Sequence, residues 1–187
     1  MSALSAHLFA LVLAVALAGV FAPALMHKVQ QWQRFLPQMQ AYQLLPPGLI
    51  KPAAAILILI EASTLGLLTV GWLFDGVGLG FALATVLLAL YALAMTINVI
   101  RGRKFIDCGC GDAPTAIGRG VLIRNAILIV AALCGWSLLQ NGTVAMTPLA
   151  YLAGIGFGLV GAFLYASYEQ VLANISLHRR LWLGEQT

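Results

Sequence analysis

The stretch Asp107-Cys108-Gly109-Cys110-Gly111-Asp112 gathers the most reactive side chains of this chain into the longest polar break between its apolar segments. Two thiols separated by one glycine can cycle between dithiol and disulfide, or share a soft metal ion. A disulfide needs Cα atoms about 4.4–6.8 Å apart, and residues i and i+2 of an extended chain lie near 7 Å, so joining Cys108 to Cys110 demands a tight turn. Gly109 is the residue that permits one. The ring would be small and strained, which suits exchange better than bracing. Thiolate is the reactive form. Arg101, Arg103 and Lys104 before the pair and Arg119 after it favour thiolate, whereas Asp107 and Asp112 oppose it and could relay a proton. For metal binding the set is poor, since structural zinc wants four nitrogen or sulfur ligands and no histidine is near. No metal site is expected; two incidental loop cysteines remain the bland alternative.

The elements that must hold this pair are legible from composition. The chain has 187 residues, 61% hydrophobic and 9% charged, against roughly 25% charged in a soluble domain. Too few charges exist to cover a soluble surface, so the solvent is lipid. The length suits a single membrane domain over 1–187. Ten basic residues spread over loops read as topology signals, and nucleic acid is not an expected partner. The third cysteine, Cys134, lies inside an apolar run and reads as a small core residue. Residues 1–10 contain no Lys or Arg, so the charged region of a cleaved signal peptide is missing and the first apolar run reads as a retained helix.

Apolar runs at 3–26, 52–74, 77–100, 120–140 and 148–172 each approach the roughly 20 residues that span a bilayer. Unpaired backbone groups are not tolerated in lipid, so an all-α integral membrane bundle of about five transmembrane helices is expected. With five spans all ten basic residues fall on one side: Lys28, Arg34 and Lys51, then Arg101, Arg103, Lys104, Arg119 and Arg124, then Arg179 and Arg180. The positive-inside rule makes that side cytoplasmic, with the N-terminus periplasmic, the C-terminus cytoplasmic and the 101–119 loop at the cytoplasmic face. Residues 28–45 place Trp32, Phe35, Leu36, Met39, Tyr42 and Leu45 at helical spacing opposite a Gln-rich face, which predicts an amphipathic helix lying in the interface, or else a structured re-entry loop.

Several polar residues fall inside the spans. Glu61 is expected near mid-membrane, as a proton relay or ligand contact, or as a protonated packing partner. Arg124 is a candidate partner for it, though snorkelling to the surface is the favoured reading. Asn98 and Asn125 flank the thiol loop and are expected to tie helices together or orient the loop. Ser63, Thr64 and Thr96 are expected to bond their own helix backbones. Gly154 and Gly158, with Gly161 and Ala162, make a small-residue face for close packing. His7, His27 and His178 are expected at helix ends or surfaces.

The stretch Asn98-Val99-Ile100-Arg101-Gly102-Arg103-Lys104-Phe105-Ile106-Asp107-Cys108-Gly109-Cys110-Gly111, followed by Arg124-Asn125, resembles the methylamine utilisation protein MauE family, with the DoxX-like membrane proteins as wider relatives. The resemblance implies an inner-membrane protein needed to mature methylamine dehydrogenase, whose small subunit is periplasmic and disulfide-rich. It implies Cys108 and Cys110 as the redox pair, with Arg101, Asp107, Arg124 and Asn125 around them. It further implies a thioredoxin-like MauD-type partner and, as client, the dehydrogenase small subunit or another disulfide-rich periplasmic protein. The expected activity is thiol–disulfide exchange, with enzymatic status open and no cofactor expected. One alternative is a quinone-linked disulfide oxidase, in which Glu61 and nearby aromatics would face the quinone. Others are a non-enzymatic scaffold or chaperone, and metal handling. A periplasmic partner and a cytoplasmic thiol loop would not meet directly, so either electrons cross the bundle or the orientation is inverted.

Overall fold

The computed structural model describes residues 3–103, 119–140 and 146–183. Its helices are α1 (Ala3–Gln30), α2 (Trp32–Ala41), α3 (Ile50–Val70), α4 (Val77–Ile100), α5 (Arg119–Leu138) and α6 (Pro148–Leu183). All but α2 belong to segments long and apolar enough to cross a membrane, five among the described residues. The expected all-α membrane bundle is therefore what forms. Differences lie at the ends: α1 continues to Gln30 rather than stopping at the last apolar residue, and α6 runs to Leu183. The segment expected at 28–45 is shorter as a helix, because Lys28 to Gln30 belong to α1.

α1 is the organising element. It packs against α3, α5 and α6, while α4 closes the other side against α3 and α5. Its inward face carries small residues, with Ala10 and Ala14 fully buried, beside Leu17 and Phe21. In lipid the gain comes from close contact between helices rather than from water release, so small side chains that let backbones approach are the stabilising choice. Phe81 and Leu87 of α4 and Leu68 of α3 fill the centre of this core. Gly135 of α5 makes room for Phe81, since a Cβ there would lie 2.2 Å from the ring.

The small-residue face of α6 has its partner within this chain. A Cβ on Gly158 would sit 2.5 Å from the Val15 Cβ, one on Gly154 2.6 Å from Leu11, and one on Gly19 2.4 Å from the Ala162 Cβ. α6 thus seats on α1 through interdigitating small residues from Gly154 to Ala162, and makes no comparable packing with α5. The outward faces expose Ile123, Ile127 and Val130 of α5 and Phe157, Phe163 and Leu164 of α6, as a lipid-facing surface should.

The end of α4 is built with care. Gly102 has φ +76°, the left-handed conformation that glycine adopts without steric cost. Its N–H donates to the Val99 carbonyl at 3.1 Å and the Arg103 N–H to the Asn98 carbonyl at 2.9 Å. This is the Schellman arrangement, and it explains the glycine between the two arginines of the sequence motif. Arg101 then donates to the Gln43 carbonyl at 3.4 Å and Arg103 to the Ala41 carbonyl at 3.5 Å, clipping the chain after α2 to the end of α4. α2 itself buries only Phe35 and exposes Gln33 and Gln40, while Gln38 is half-buried.

Candidate functional site

The polar groups inside the bundle meet at the end where α1 and α4 finish and α3 and α5 begin. Glu61 lies eleven residues into α3, or about 16 Å along the axis at 1.5 Å per residue. It is fully buried. Side chains lean toward the N-terminus of their own helix. α1 and α3 are antiparallel, so Lys28 leans back into the membrane and Glu61 leans out to meet it. Lys28, 6% exposed, forms a salt bridge with Glu61 Oε1, and the Tyr91 hydroxyl of α4 donates to the same oxygen. The Lys28 ammonium is also 3.4 Å from the Tyr91 hydroxyl oxygen and lies over two rings, 5.1 Å from that of Tyr91 and 5.9 Å from that of Phe35. Glu61 Oε2 is buried without a hydrogen-bond partner among the described residues.

The same convergence makes a second pair. α5 starts at this end and α6 runs toward it, so Arg124 and Glu169 approach from opposite directions. Arg124 Nη1 donates to both Glu169 oxygens at 2.6 Å. Arg124 is 5% exposed, which corrects the expectation that it snorkels to the surface. It does not pair with Glu61 either; a local carboxylate on α6 satisfies it first. Asn125 behaves as expected of a helix tie, donating from α5 to the Leu88 carbonyl of α4 at 2.9 Å. Asn98 bonds the Ala94 carbonyl of its own helix at 3.0 Å. Ser63, Thr64 and Thr96 likewise bond the carbonyls one turn back.

These groups line one cavity of about 350 Å³. Its polar wall is His27, Lys28, Glu61, Tyr91, Arg124, Asn125, Tyr165, Glu169 and Gln170; its apolar wall includes Val20, Phe21, Leu88 and Leu128. Pro23 of α1 also borders it and removes the N–H that would have bonded the Gly19 carbonyl within the helix. With two cations and two carboxylates the cluster is formally neutral. Lys28 further borders a smaller apolar pocket of about 140 Å³ beneath α2, lined by Met39, Tyr42, Leu57 and Met95 among others.

Of the residues singled out from sequence, Glu61, Arg124 and Asn125 come together here. Arg101 and Arg103 lie at the end of α4, held by backbone carbonyls. Asp107, Cys108, Gly109 and Cys110 lie outside the described residues, as do Lys104 and Asp112. Cys134 is a half-buried residue of α5. His7 is not a surface residue: it is 3% exposed, with Nδ1 3.0 Å from the Ala3 carbonyl oxygen. His27 belongs to the cavity wall, and the side chain of His178 lies outside the described residues. Sequence reasoning did not single out Tyr91 or Glu169. Tyr91 is one aromatic in an apolar run, and Glu169 is separated from its partner by 45 positions. The signal that could have found Glu169 is the second carboxylate at the end of a long apolar segment, opposite the intramembrane Arg124.

Fold and site together define a polytopic α-helical membrane protein with a charge-compensated polar cavity in one half of its bundle. Residues 6–139 match the family described as Methylamine utilisation protein MauE, and the chain belongs to that family. The match encloses Lys28, Glu61, Tyr91, Arg124 and Asn125 as well as Cys108 and Cys110; Glu169 lies beyond it. Among relatives named Methylamine utilization protein MauE, that of Methylophilus methylotrophus is 35% identical over 130 residues, 70% of this chain and 64% of the relative. That of Paracoccus denitrificans is 29% identical over 153 residues, covering 80% and 78%. That of Methylorubrum extorquens is 28% identical over 170 residues, covering 83% and 81%. The chain thus spans just under two thirds of the Methylophilus relative and more of the others. No solved structure matches.

Proposed function

We propose that this protein is a thiol–disulfide redox component of the plasma membrane that supports disulfide formation in a periplasmic protein. In the setting its relatives' names imply, methylamine utilisation, the client is the disulfide-rich small subunit of methylamine dehydrogenase and the partner a thioredoxin-like MauD-type protein. The observation that carries this reading is the Cys108-Gly109-Cys110 pair, which follows within a few residues the α4 end fixed by Gly102, Arg101 and Arg103. A thiolate of the pair attacks a client or partner disulfide, a mixed disulfide forms, and the second thiol resolves it. The basic end carries Arg34, Lys51, Arg101 and Arg103 on exposed or half-buried positions. That distribution supports a cytoplasmic placement and a periplasmic N-terminus.

The test is sequential alkylation in intact cells, with membrane-impermeant and then permeant reagents, in a Cys134→Ser background with and without prior reduction. Labelling of Cys108 and Cys110 only after reduction is the expected result, since it reports a resting disulfide. Labelling by the impermeant reagent would invert the orientation and allow direct exchange with a periplasmic partner. Full client maturation by the Cys108→Ser/Cys110→Ser variant would refute the redox reading and favour a scaffold.

A further inference from the structure

We infer that the cavity at Glu61 binds the ring of a membrane quinone in its reduced and oxidised forms, with the quinol hydroxyl donating to Glu61 Oε2. Four observations lead to this ligand class. Glu61 is fully buried and one carboxylate oxygen has no donor among the described residues, while Lys28 and Tyr91 are already committed to the other. A buried acceptor of that kind calls for an O–H or N–H donor. The cavity already balances its charges, Lys28 with Glu61 and Arg124 with Glu169. A charged ligand would leave one charge uncompensated, so the ligand is neutral.

The size and the approach narrow it further. A space of about 350 Å³ is at the lower end of small-molecule pockets, roughly 300–1,000 Å³. It suits a substituted ring, not a whole isoprenoid chain. Among the described residues α5 and α6 flank the cavity with little packing on each other, and the Arg124–Glu169 pair bridges them there. Both helices carry lipid-facing side chains alongside, Ile127 at 63% and Phe163 at 72% exposure. A headgroup entering between them would keep its tail in the bilayer. A neutral, lipid-soluble ring bearing an O–H donor is a quinol.

The inference deepens the redox reading above by naming an electron acceptor class. Two thiols would lose two S–H bonds, two electrons and two protons, an S–S bond would form, and the quinone's two carbonyls would become two hydroxyls. The binding site itself does not require the thiols, and the test uses that separation. The purified full-length protein in lipid nanodiscs is titrated by calorimetry with decylubiquinol, with decylubiquinone, and with decanol as a tail-only control. Wild type is expected to bind both ring ligands and not decanol. Glu61→Gln should weaken quinol at least roughly tenfold, the scale of a hydrogen bond to a charged group. It should weaken quinone much less, because quinone has no hydroxyl to donate. Ala24→Phe, which adds bulk to the cavity wall while leaving every charged group in place, should weaken both. Cys108→Ser/Cys110→Ser should bind as wild type; a loss there would move the site away from this cavity. The inference is overturned if neither ring ligand binds, if decanol competes equally, or if folded Glu61→Gln leaves the quinol-to-quinone ratio unchanged.

Discussion

Lys28→Met removes a charge while keeping a long, flexible side chain, and leaves Glu61 fully buried with Tyr91 as its remaining donor. Two magnitudes compete. Side-chain hydrogen bonds in membrane bundles average only about 0.6 kcal/mol, so if Lys28 mattered merely as a donor the loss would be slight. Breaking a buried ion pair instead leaves an uncompensated charge and costs about 3–5 kcal/mol. A destabilisation of about 3 kcal/mol at pH 7 is therefore expected. Lys28→Met/Glu61→Leu, with no charge left to compensate, should return to within about 1 kcal/mol of wild type. The assay is reversible unfolding in bicelles by added sodium dodecyl sulfate, followed by tryptophan fluorescence. A single variant within about 1 kcal/mol of wild type at pH 7, or a double variant no better than the single, would refute the account.

Gly158→Val should destabilise by about 1–3 kcal/mol, an overpacking cost, since even its Cβ would meet the Val15 side chain at 2.5 Å and the Val12 carbonyl at 2.9 Å. Gly156→Ala, where nothing lies within 4 Å, should instead stabilise α6 by up to about 1 kcal/mol through helix propensity; the same unfolding assay reads both. Gly102→Ala forces a Cβ into φ +76° and is expected to cost about 1–2 kcal/mol. It should also raise protease sensitivity after α4, as Arg101 and Arg103 lose their fixed approach to Gln43 and Ala41. Glu169→Gln should loosen α6 from α5 at the cavity, read as faster amide exchange there with little change near Gly158.

The membrane bundle was legible because lipid imposes a coarse rule: spans must be apolar, helical and about 20 residues long. That rule places α4 to the residue, and it misses the polar extension of α1 to Gln30 because hydropathy fades before the helix does. The small-residue face of α6 was legible as a packing surface, but its partner was not, since residue spacing on one helix carries no address on another. The cavity shows the same limit more sharply. Glu61 stood out as a lone carboxylate in an apolar run, yet Lys28 read as a topology signal and Tyr91 as one aromatic among many. Their union depends on antiparallel helices tilting side chains toward one level, a property of the assembled bundle. Arg124 was legible as intramembrane but misread in direction, because snorkelling is the default only when no carboxylate is near.

The chain has six acidic residues, and two of them, Glu61 and Glu169, are spent inside the bundle on buried partners. Stability is a weak reason for this. Apolar side chains of similar volume generally hold a core as well as a buried ion pair does, and often better. Nor does topology require Lys28 and Arg124, since the positive-inside bias rests on the total of Lys and Arg near the span ends. Arg34, Lys51, Arg101 and Arg103 supply that bias without them. What the two pairs achieve, and apolar residues would not, is a polar wall on a cavity surrounded by lipid, held in place by charge balance across α1, α3, α5 and α6. A buried carboxylate oxygen beside such a cavity, without a donor among the described residues, is costly in the resting protein, and a ligand that supplies a donor would offset that cost. We read the arrangement as a binding site, and the quinol titration tests that reading.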